Sequence, residues 1–356
     1  MFRGLEKRIT FDKLTRSDSL HERSHRSYRQ TILARPGMGY PIFMQTAMIN
    51  SKKPSLIVIA GPTCVGKTGT AIALAAPIGG EIVSADAMQV YKRMNIGTAK
   101  PTRHEQEQVK HHMVDVVEPD EPFSAARFKA MAETVIDKLY QKGIPVFVVG
   151  GTGLYIRALT KGLFKAKGVN KWIRTKLKRE ADTFGIGMLY EQLQAVDPVA
   201  ALKIHANDAY RIIRALEVYK STDKPLSEHH REHGFSSAPY QLLKFGLYMD
   251  RNILYERINQ RVEKMLAEGL LNEVKALLEQ GYGPELKTMR SIGYRHMVDY
   301  LSGTLTWDNA VETLKRDTRR YAKRQFTWFR VDTEIEWMQP ERIHEMSEKI
   351  DSFLTR

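Results

Sequence analysis

The feature that most constrains the fold is the segment at residues 61–68, which reads Gly-Pro-Thr-Cys-Val-Gly-Lys-Thr. It follows the apolar run at residues 56–60 and precedes a segment rich in alanine that favours a helix. The pattern G-x-x-x-x-G-K-T between a buried strand and a helix is typical of a phosphate-binding P-loop. Backbone amides and the helix N-terminus surround the anion in such a loop. The sequence therefore predicts a site for a diphosphate or polyphosphate.

Two side chains of this loop have distinct predicted roles. Lys67 brings a mobile positive charge to the phosphates, and the hydroxyl of Thr68 can ligate Mg²⁺, which is the predicted cofactor. The residues predicted to contact the diphosphate are Gly61, Pro62, Thr63, Cys64, Val65, Gly66, Lys67 and Thr68.

The amino-acid composition narrows the classes of protein to which this chain can belong. With 55 Lys and Arg against 41 Asp and Glu, the chain carries a net charge of +14. Such an excess is typical of nucleic-acid binding, where neutralised phosphates release counterions, although a generic basic surface is the alternative. The single cysteine cannot form an intramolecular disulfide, which favours a cytoplasmic location. Apolar runs are strand-sized and fall short of the ~20 residues that span a bilayer, so no membrane association is predicted.

The pattern of apolar segments predicts an α/β fold, a doubly wound parallel sheet like that of the P-loop NTPases. Its core is expected at residues 51–164 and 240–356, with helices towards the C-terminus. A helical insertion domain is expected at residues 165–239, where the sequence is charged and helical in period. Strands are predicted at residues 55–60, 81–85, 114–117, 144–149, 242–249 and 335–338.

Residues 1–50 differ from the rest of the chain. They are polar and rich in Arg, His and Ser, which predicts a basic tail with little fixed structure. The segment lacks the apolar stretch of a secretory signal. One hypothesis is that translation begins at Met48, shortly before the first predicted strand.

Asp86 follows the second predicted strand, at the edge of an open α/β sheet where ligands bind. Its carboxylate could act as a general base, accept a hydrogen bond from an amine, or hold Mg²⁺ through water. The fourth predicted strand runs into Gly150 without the acidic residue that a motor ATPase places there to hold Mg²⁺. The glycines at 150, 151 and 153 predict close approach of a second ligand, with Thr152 as a polar contact.

Two basic segments are candidates for contact with phosphate or RNA. Arg211 and Arg214 either reach a phosphate or pair with Glu217 and Asp208. Residues 315–330 combine a basic helical stripe with four aromatic side chains, a pattern that suits an RNA backbone and stacked bases. The alternative is a solvated helix face whose aromatic residues belong to the core.

Taken in order, eight motifs resemble those of the bacterial tRNA dimethylallyltransferases, also called tRNA isopentenyltransferases or the IPP transferase family. They lie at residues 61–68, 84–91, 96–101, 111–115, 150–155, 214–217, 291–294 and 322–328. The resemblance extends from residue 55 to about residue 340 and leaves out the N-terminal tail.

The resemblance implies a reaction. Dimethylallyl diphosphate and Mg²⁺ would occupy the P-loop, the N6 amine of adenosine 37 beside the tRNA anticodon would attack the allylic carbon, and diphosphate would leave. Asp86 would accept a hydrogen bond or proton from N6. Lys67 and Thr68 would stabilise the diphosphate, with Thr63 and Arg211 assisting at its oxygens. The helical insertion would clamp the anticodon stem, and the protein is expected to be a monomer.

The resemblance also implies a set of tRNA contacts. These are Asp86, Ala87, Met88, Gln89, Thr152, Arg174, Tyr210, Arg211, Ile212, Ile213, Arg214, Arg290, Ser291, Ile292, Gly293, Tyr294, Arg295, Lys323, Arg324, Gln325, Phe326, Thr327, Trp328, Phe329 and Arg330. Because the adenosine must leave its stack to reach a P-loop, base flipping is implied. The alternatives are an adenylate isopentenyltransferase, a P-loop small-molecule kinase and a non-catalytic RNA-binding P-loop protein. A basic C-terminal half argues against a mononucleotide acceptor.

Overall fold

The structure is a computed structural model that describes residues 53–164, 171–234 and 239–355. These residues belong to one compact unit. The predicted N-terminal tail and the hypothetical start at Met48 lie outside the described residues. No helix in the described part of the chain is long and apolar enough to cross a membrane.

Six parallel strands form one sheet in the order β3-β2-β4-β1-β5-β6, which confirms the predicted parallel α/β fold. The strands are β1 (Ser55–Ala60), β2 (Glu81–Ser84), β3 (His111–His112), β4 (Val146–Gly150), β5 (Gln241–Leu247) and β6 (Ile335–Met338). The central strand β1 pairs with β4 and β5, and Leu56 lies opposite both Val146 and Leu242.

Helices connect the strands and continue after them. They are α1 (Lys67–Ala75), α2 (Arg103–Gln108), α3 (Ala125–Gln141), α4 (Gly153–Lys161), α5 (Lys171–Phe184), α6 (Ile186–Val196), α7 (Pro198–Ala201), α8 (Ala209–Thr222), α9 (Leu226–His233), α10 (Arg251–Ala267), α11 (Leu270–Glu279), α12 (Tyr294–Leu301), α13 (Trp307–Phe329) and α14 (Ile343–Leu354).

Both faces of the sheet are covered by helices. Successive residues of a strand point to opposite faces. In β1, Leu56 and Val58 pack with α3 and α4, whereas Ile57 and Ile59 pack with α1 and α14. Because both faces are buried, the strands read as continuous apolar runs. The helices do not cover the edge of the sheet at the carboxyl ends of the strands, and the loops that carry polar residues lie there.

The third strand lies at His111–His112, and the prediction of a strand at residues 114–117 was wrong. Met113 and Asp115 have φ values of 64° and 55°, in the left-handed region that interrupts an extended strand. Residues 114–117 pair instead with the loop after β2, because the amides of residues 116 and 117 donate to the carbonyl of Val90.

The helices between β4 and β5 have a hydrophobic cluster of their own. Its buried members include Leu177, Leu189, Leu193, Ile212 and Leu216. The helical insertion as a domain of its own stays a prediction. Its expected boundaries fall at residues 165–170 and 235–238, which lie outside the described part of the chain.

Candidate active site

The phosphate loop connects β1 to α1. Gly66 has a φ of 105° and precedes the first residue of α1, a conformation that glycine adopts without strain. A Cβ on Gly61 would lie 2.8 Å from the carbonyl oxygen of Leu247, so this glycine allows the loop to pass close to β5. The first amides of α1 have no acceptor within the helix and are available to an anion.

Lys67 folds back over this loop, and its Nζ donates a hydrogen bond to the carbonyl of Pro62 at 2.6 Å. Burial lowers the pKa of the Lys67 ammonium to about 8, an effect that the carboxylate of Asp86 partly offsets. A bound diphosphate would favour the charged form of Lys67, because an anion at close range stabilises an ammonium.

A cavity of about 970 Å³ opens beside the loop, at the carboxyl ends of β2 and β4. Its size is at the upper end of the range for small-molecule sites, roughly 300–1,000 Å³. It brings together predicted residues from four separate segments: Thr63, Cys64, Gly66, Lys67, Thr68, Asp86, Ala87, Met88, Gln89, Arg290, Ser291, Ile292, Gly293, Arg324 and Gln325.

Asp86 lies at the start of a tight turn after β2. Its Oδ1 accepts hydrogen bonds from the backbone amides of Met88 at 2.8 Å and Gln89 at 3.2 Å. Among the residues that the structure describes, none donates to Oδ2. The turn therefore fixes one carboxylate oxygen and leaves the other for a substrate group in the cavity.

Arg261 is a cavity residue that was not predicted. It lies on α10, and its guanidinium donates to the hydroxyl of Thr63 at 3.5 Å. The neighbours Ile258 and Val262 are buried, so the surrounding sequence reads as an ordinary amphipathic helix. Nothing local to residue 261 distinguishes this arginine from the solvated arginines of the chain.

The predicted contacts on α5 and α8 do not line the cavity. Arg214 pairs with Glu217 at 2.8 Å, and Arg174 lies 3.7 Å from the same carboxylate. Arg174 also lies over the ring of Tyr210, at 5.4 Å from its centroid. Arg211 pairs with Asp208 at 3.4 Å. These are the ion pairs considered as the alternative, and a role for the arginines in catalysis or RNA binding stays a prediction.

Four predicted RNA contacts have buried side chains. Ile212, Ile213, Tyr294 and Phe329 are at most 6% exposed and belong to the hydrophobic clusters. Their apolar surface is already covered by protein, and contact with RNA at these four positions stays a prediction. Any contact there would have to come from the backbone.

The glycines after β4 accommodate close protein neighbours, and since Gly150 also lines the cavity, the approach of a second ligand stays a prediction. A Cβ would lie 2.2 Å from Ala85 O at Gly150, 2.1 Å from Gln325 Nε2 at Gly151, and 2.0 Å from Trp328 Cδ1 at Gly153. Real Cβ atoms do not approach other atoms this closely. Because these three residues have no side chain, α13 and the loop after β2 can pack closely against the end of β4.

Gln325 joins the phosphate loop to the turn after β4. Its Oε1 accepts from the amide of Thr63 at 2.8 Å, and its Nε2 donates to the carbonyl of Gly151 at 3.0 Å. Thr152 makes a parallel link, because its hydroxyl accepts from the amide of Ala87 at 2.9 Å. Both residues were predicted to contact RNA, and the structure shows them in hydrogen bonds within the protein.

The arginines in the first part of the basic stripe on α13 interact with other residues of the protein. Arg316 and Arg320 interact with Asp317 at 3.1 and 3.5 Å, and Arg295 pairs with the same carboxylate. The guanidinium of Arg319 points inward and donates to Asn259 Oδ1 at 2.7 Å.

His296 also lies beside Asp317. Burial lowers the pKa of His296, and the positive charge of Arg295 acts in the same direction.

The outer side of α13 near its end is exposed. Lys323, Arg324, Thr327 and Arg330 are solvent-accessible, and Trp328 is 36% exposed. Phe326 packs against Trp337 with ring centroids 5.0 Å apart. Phe329 is buried and Trp328 packs against Gly153, so these two aromatic residues belong at least partly to the core.

The donor set of the cavity is compatible with Mg²⁺. The described residues contain no cluster of three or more His, Cys, Asp and Glu residues that could hold a metal ion. The Thr68 hydroxyl and the Asp86 carboxylate nevertheless line the same cavity. Mg²⁺ commonly takes one or two protein oxygens and completes its shell with water and substrate phosphates. These two residues fit that pattern.

A phosphate loop that opens onto a cavity at the carboxyl ends of a parallel sheet defines a P-loop α/β protein. The IPP transferase family model matches residues 89–332 of the chain. The chain belongs to the IPP transferase family.

Several known proteins are similar over most of their length. The tRNA dimethylallyltransferase of Desulfosudis oleivorans is 52% identical over 286 residues, which cover 80% of this chain and 91% of the relative. The crystal structure of the tRNA isopentenylpyrophosphate transferase of Bacillus halodurans superposes with a TM-score of 0.65 at 40% identity, over 85% of this chain and 97% of that one. A eukaryotic dimethylallyltransferase acting on tRNA gives a TM-score of 0.70 at 29% identity, over 84% and 77% of the two chains.

Proposed function

We propose that this chain is a transferase that moves the dimethylallyl group of dimethylallyl diphosphate to N6 of adenosine 37 in tRNA and releases diphosphate. The family membership and the names of the relatives support the reaction. The observation that carries it is the cavity in which a phosphate loop, a free carboxylate oxygen and exposed arginines meet. A cytoplasmic location and a monomeric state are part of the same proposal.

The diphosphate half of the reaction belongs to the phosphate loop. As the bond from the allylic carbon to the diphosphate oxygen breaks, negative charge develops on that oxygen. Lys67, the first amides of α1 and Arg261 supply fixed positive charge where it develops, which lowers the barrier. Thr63 is oriented by Arg261 and adds a hydroxyl donor. Mg²⁺, held by Thr68 and through water by Asp86, would neutralise further charge on the diphosphate.

The acceptor half depends on Asp86. The nitrogen lone pair of N6 forms the new bond to carbon, and one N6 proton must leave. The Oδ2 atom of Asp86 can take this proton, while Oδ1 remains fixed by the two amides of its own turn. A general base needs this combination of a fixed orientation and an open acceptor oxygen.

We expect Arg261→Gln to lower kcat by on the order of 10²-fold, because one charged donor at the leaving diphosphate is removed. The matched control is Arg211→Gln, which removes an arginine paired with Asp208 outside the cavity. Single-turnover transfer to tRNA measures both effects. A larger loss in Arg211→Gln than in Arg261→Gln would favour the sequence-based prediction that Arg211 is the catalytic arginine.

The tRNA backbone would be held by the exposed face of α13, which includes Lys323 and also Arg320, whose side chain is exposed although it contacts Asp317. Changing Arg320 and Lys323 together to Gln is expected to weaken tRNA binding and to reduce the slope of log K against log salt by about one per lost phosphate contact. The control is Arg319→Gln, whose side chain is directed to Asn259. Filter binding at several salt concentrations measures the slopes. Equal slopes in the double variant and the wild type would mean that this surface is only solvated.

The reaction is tested by offering radiolabelled dimethylallyl diphosphate and Mg²⁺ with unmodified tRNA, AMP or ATP as acceptors. Label in tRNA alone supports the proposal. Label in AMP would favour an adenylate isopentenyltransferase. ATP hydrolysis without label transfer would favour a P-loop kinase and contradict the proposal.

A further inference from the structure

Glu273, in the first turn of α11, accepts an unusual number of hydrogen bonds for one side chain. Its Oε2 accepts from the amides of Asn95 at 2.9 Å and Ile96 at 2.8 Å. Its Oε1 accepts from the amide of Gly97 at 3.1 Å and from the hydroxyl of Tyr294 at 2.6 Å. Four donors fill the four lone-pair directions of a carboxylate.

Three successive amides that converge on one point form a concave anion site, of the kind that elsewhere holds a phosphate. Here the anion is the protein's own carboxylate. The segment at residues 95–97 is therefore held by a charged side chain from a distant part of the sequence, across 176 positions between Gly97 and Glu273. Hydrogen bonds to a charged group are about twice as strong as neutral ones.

The held segment forms part of the cavity. Residues 95–100 line it, as does the turn at residues 290–293 that leads into Tyr294. Gly97 packs directly on the Tyr294 ring, because a Cβ on Gly97 would lie 2.4 Å from Tyr294 Cε2. One carboxylate thus ties two walls of the cavity to α11.

The same segment reaches Asp86 through Gln89. The side-chain amide of Gln89 donates to the carbonyl of Ala99 at 3.1 Å and, more weakly, to that of Thr98 at 3.4 Å. The backbone amide of Gln89 donates to Asp86 Oδ1. A displacement of the segment is therefore passed to the turn that orients the Asp86 carboxylate.

We propose that Glu273 is a positioning residue for the acceptor half of the transfer, which fixes the wall at residues 95–100 and, through Gln89, the orientation of Asp86. This inference rests on the proposed function. The proposal assigns Glu273 to the acceptor half and not to the diphosphate half, since among the described residues Glu273 has no hydrogen bond to the phosphate loop.

The test is Glu273→Gln, which keeps the size of the side chain but replaces one acceptor oxygen with an NH₂ group that faces backbone amides. We expect kcat for transfer to tRNA to fall by about tenfold to a hundredfold, the cost of a misplacement of about 1 Å. The dissociation constant for dimethylallyl diphosphate should stay within about twofold of the wild type, because the phosphate loop is untouched. The matched control is Glu279→Gln at the exposed end of the same helix, which should leave both quantities unchanged.

Tyr294→Phe provides a second variant in case Glu273→Gln folds poorly. It removes one of the four donors and should lower kcat in the same direction but less. Hydrogen exchange at the amides of residues 95–97 should speed up in both variants. In a folded variant, an unchanged kcat, or a loss of diphosphate binding as large as the loss of kcat, would overturn the proposal. If the wild type transfers no label, the proposed function fails, and the amide exchange alone then decides whether Glu273 holds the segment.

Discussion

Lys67→Ala is expected to abolish diphosphate binding and to lower transfer to tRNA by on the order of 10³-fold or more. The side chain is the charged donor of the phosphate loop, and it lies in the same cavity as Asp86. Its loss removes charge stabilisation from the ground state and from the departing diphosphate, where preorganised donors have their largest effect. Calorimetric titration with inorganic diphosphate and single-turnover transfer measure the two losses.

Lys138→Ala is the matched control, because Lys138 lies on the exposed side of α3. Both variants should unfold close to the wild-type temperature, since the Lys67 ammonium makes one hydrogen bond, to the carbonyl of Pro62. Retention of transfer by Lys67→Ala, with a folded protein, would remove the phosphate loop from the mechanism.

Asp86→Asn is expected to lower kcat by about 10²- to 10⁴-fold, the usual contribution of a positioned general base. The amide oxygen of Asn can still accept from the amides of Met88 and Gln89, so the turn should keep its shape. What is lost is the oxygen that takes the N6 proton. Single-turnover transfer should show the fall, while the affinity for dimethylallyl diphosphate should change far less, because Lys67 and Thr68 still line the site for the diphosphate.

Asp120→Asn provides the comparison, because Asp120 is exposed and lies outside the cavity. A wild-type rate for Asp86→Asn would mean that solvent accepts the proton, and that Asp86 only orients the acceptor. A non-catalytic RNA-binding protein, the remaining alternative, would require cells to tolerate the loss of Asp86.

The predicted site residues that the structure brings together in the cavity come from short stretches of sequence. The phosphate loop needs a strand, two glycines and a lysine within a few residues, and Asp86 follows directly from the end of β2. These patterns can be read from sequence because each depends on residues close together in the chain. The same alternation of strands and helices also predicts the α/β fold class. The strand order was not predicted, because the rules for parallel α/β connections limit the possible orders without selecting one.

The parts that were missed depend on contacts between distant segments. Arg261 lies 198 positions from Thr63, and no pattern around it indicates that contact. The third strand was misplaced because the left-handed backbone at Met113 and Asp115 cannot be read from an apolar run. The buried side chains of Ile212 and Tyr294 show that a motif match locates a segment but not the direction of its side chains.

The turn after β4 has a consequence for how the family can diverge. Gly150, Gly151 and Gly153 each face a different neighbour, so within four positions the chain satisfies three independent steric limits. An alanine at residue 151 would displace the Gln325 side chain, whose Nε2 is the nearest atom, and would weaken its link to Thr63. Because the end of a flexible side chain can move, we expect relatives to tolerate alanine at position 151 better than at position 150, where the nearest atoms are the backbone of Ala85.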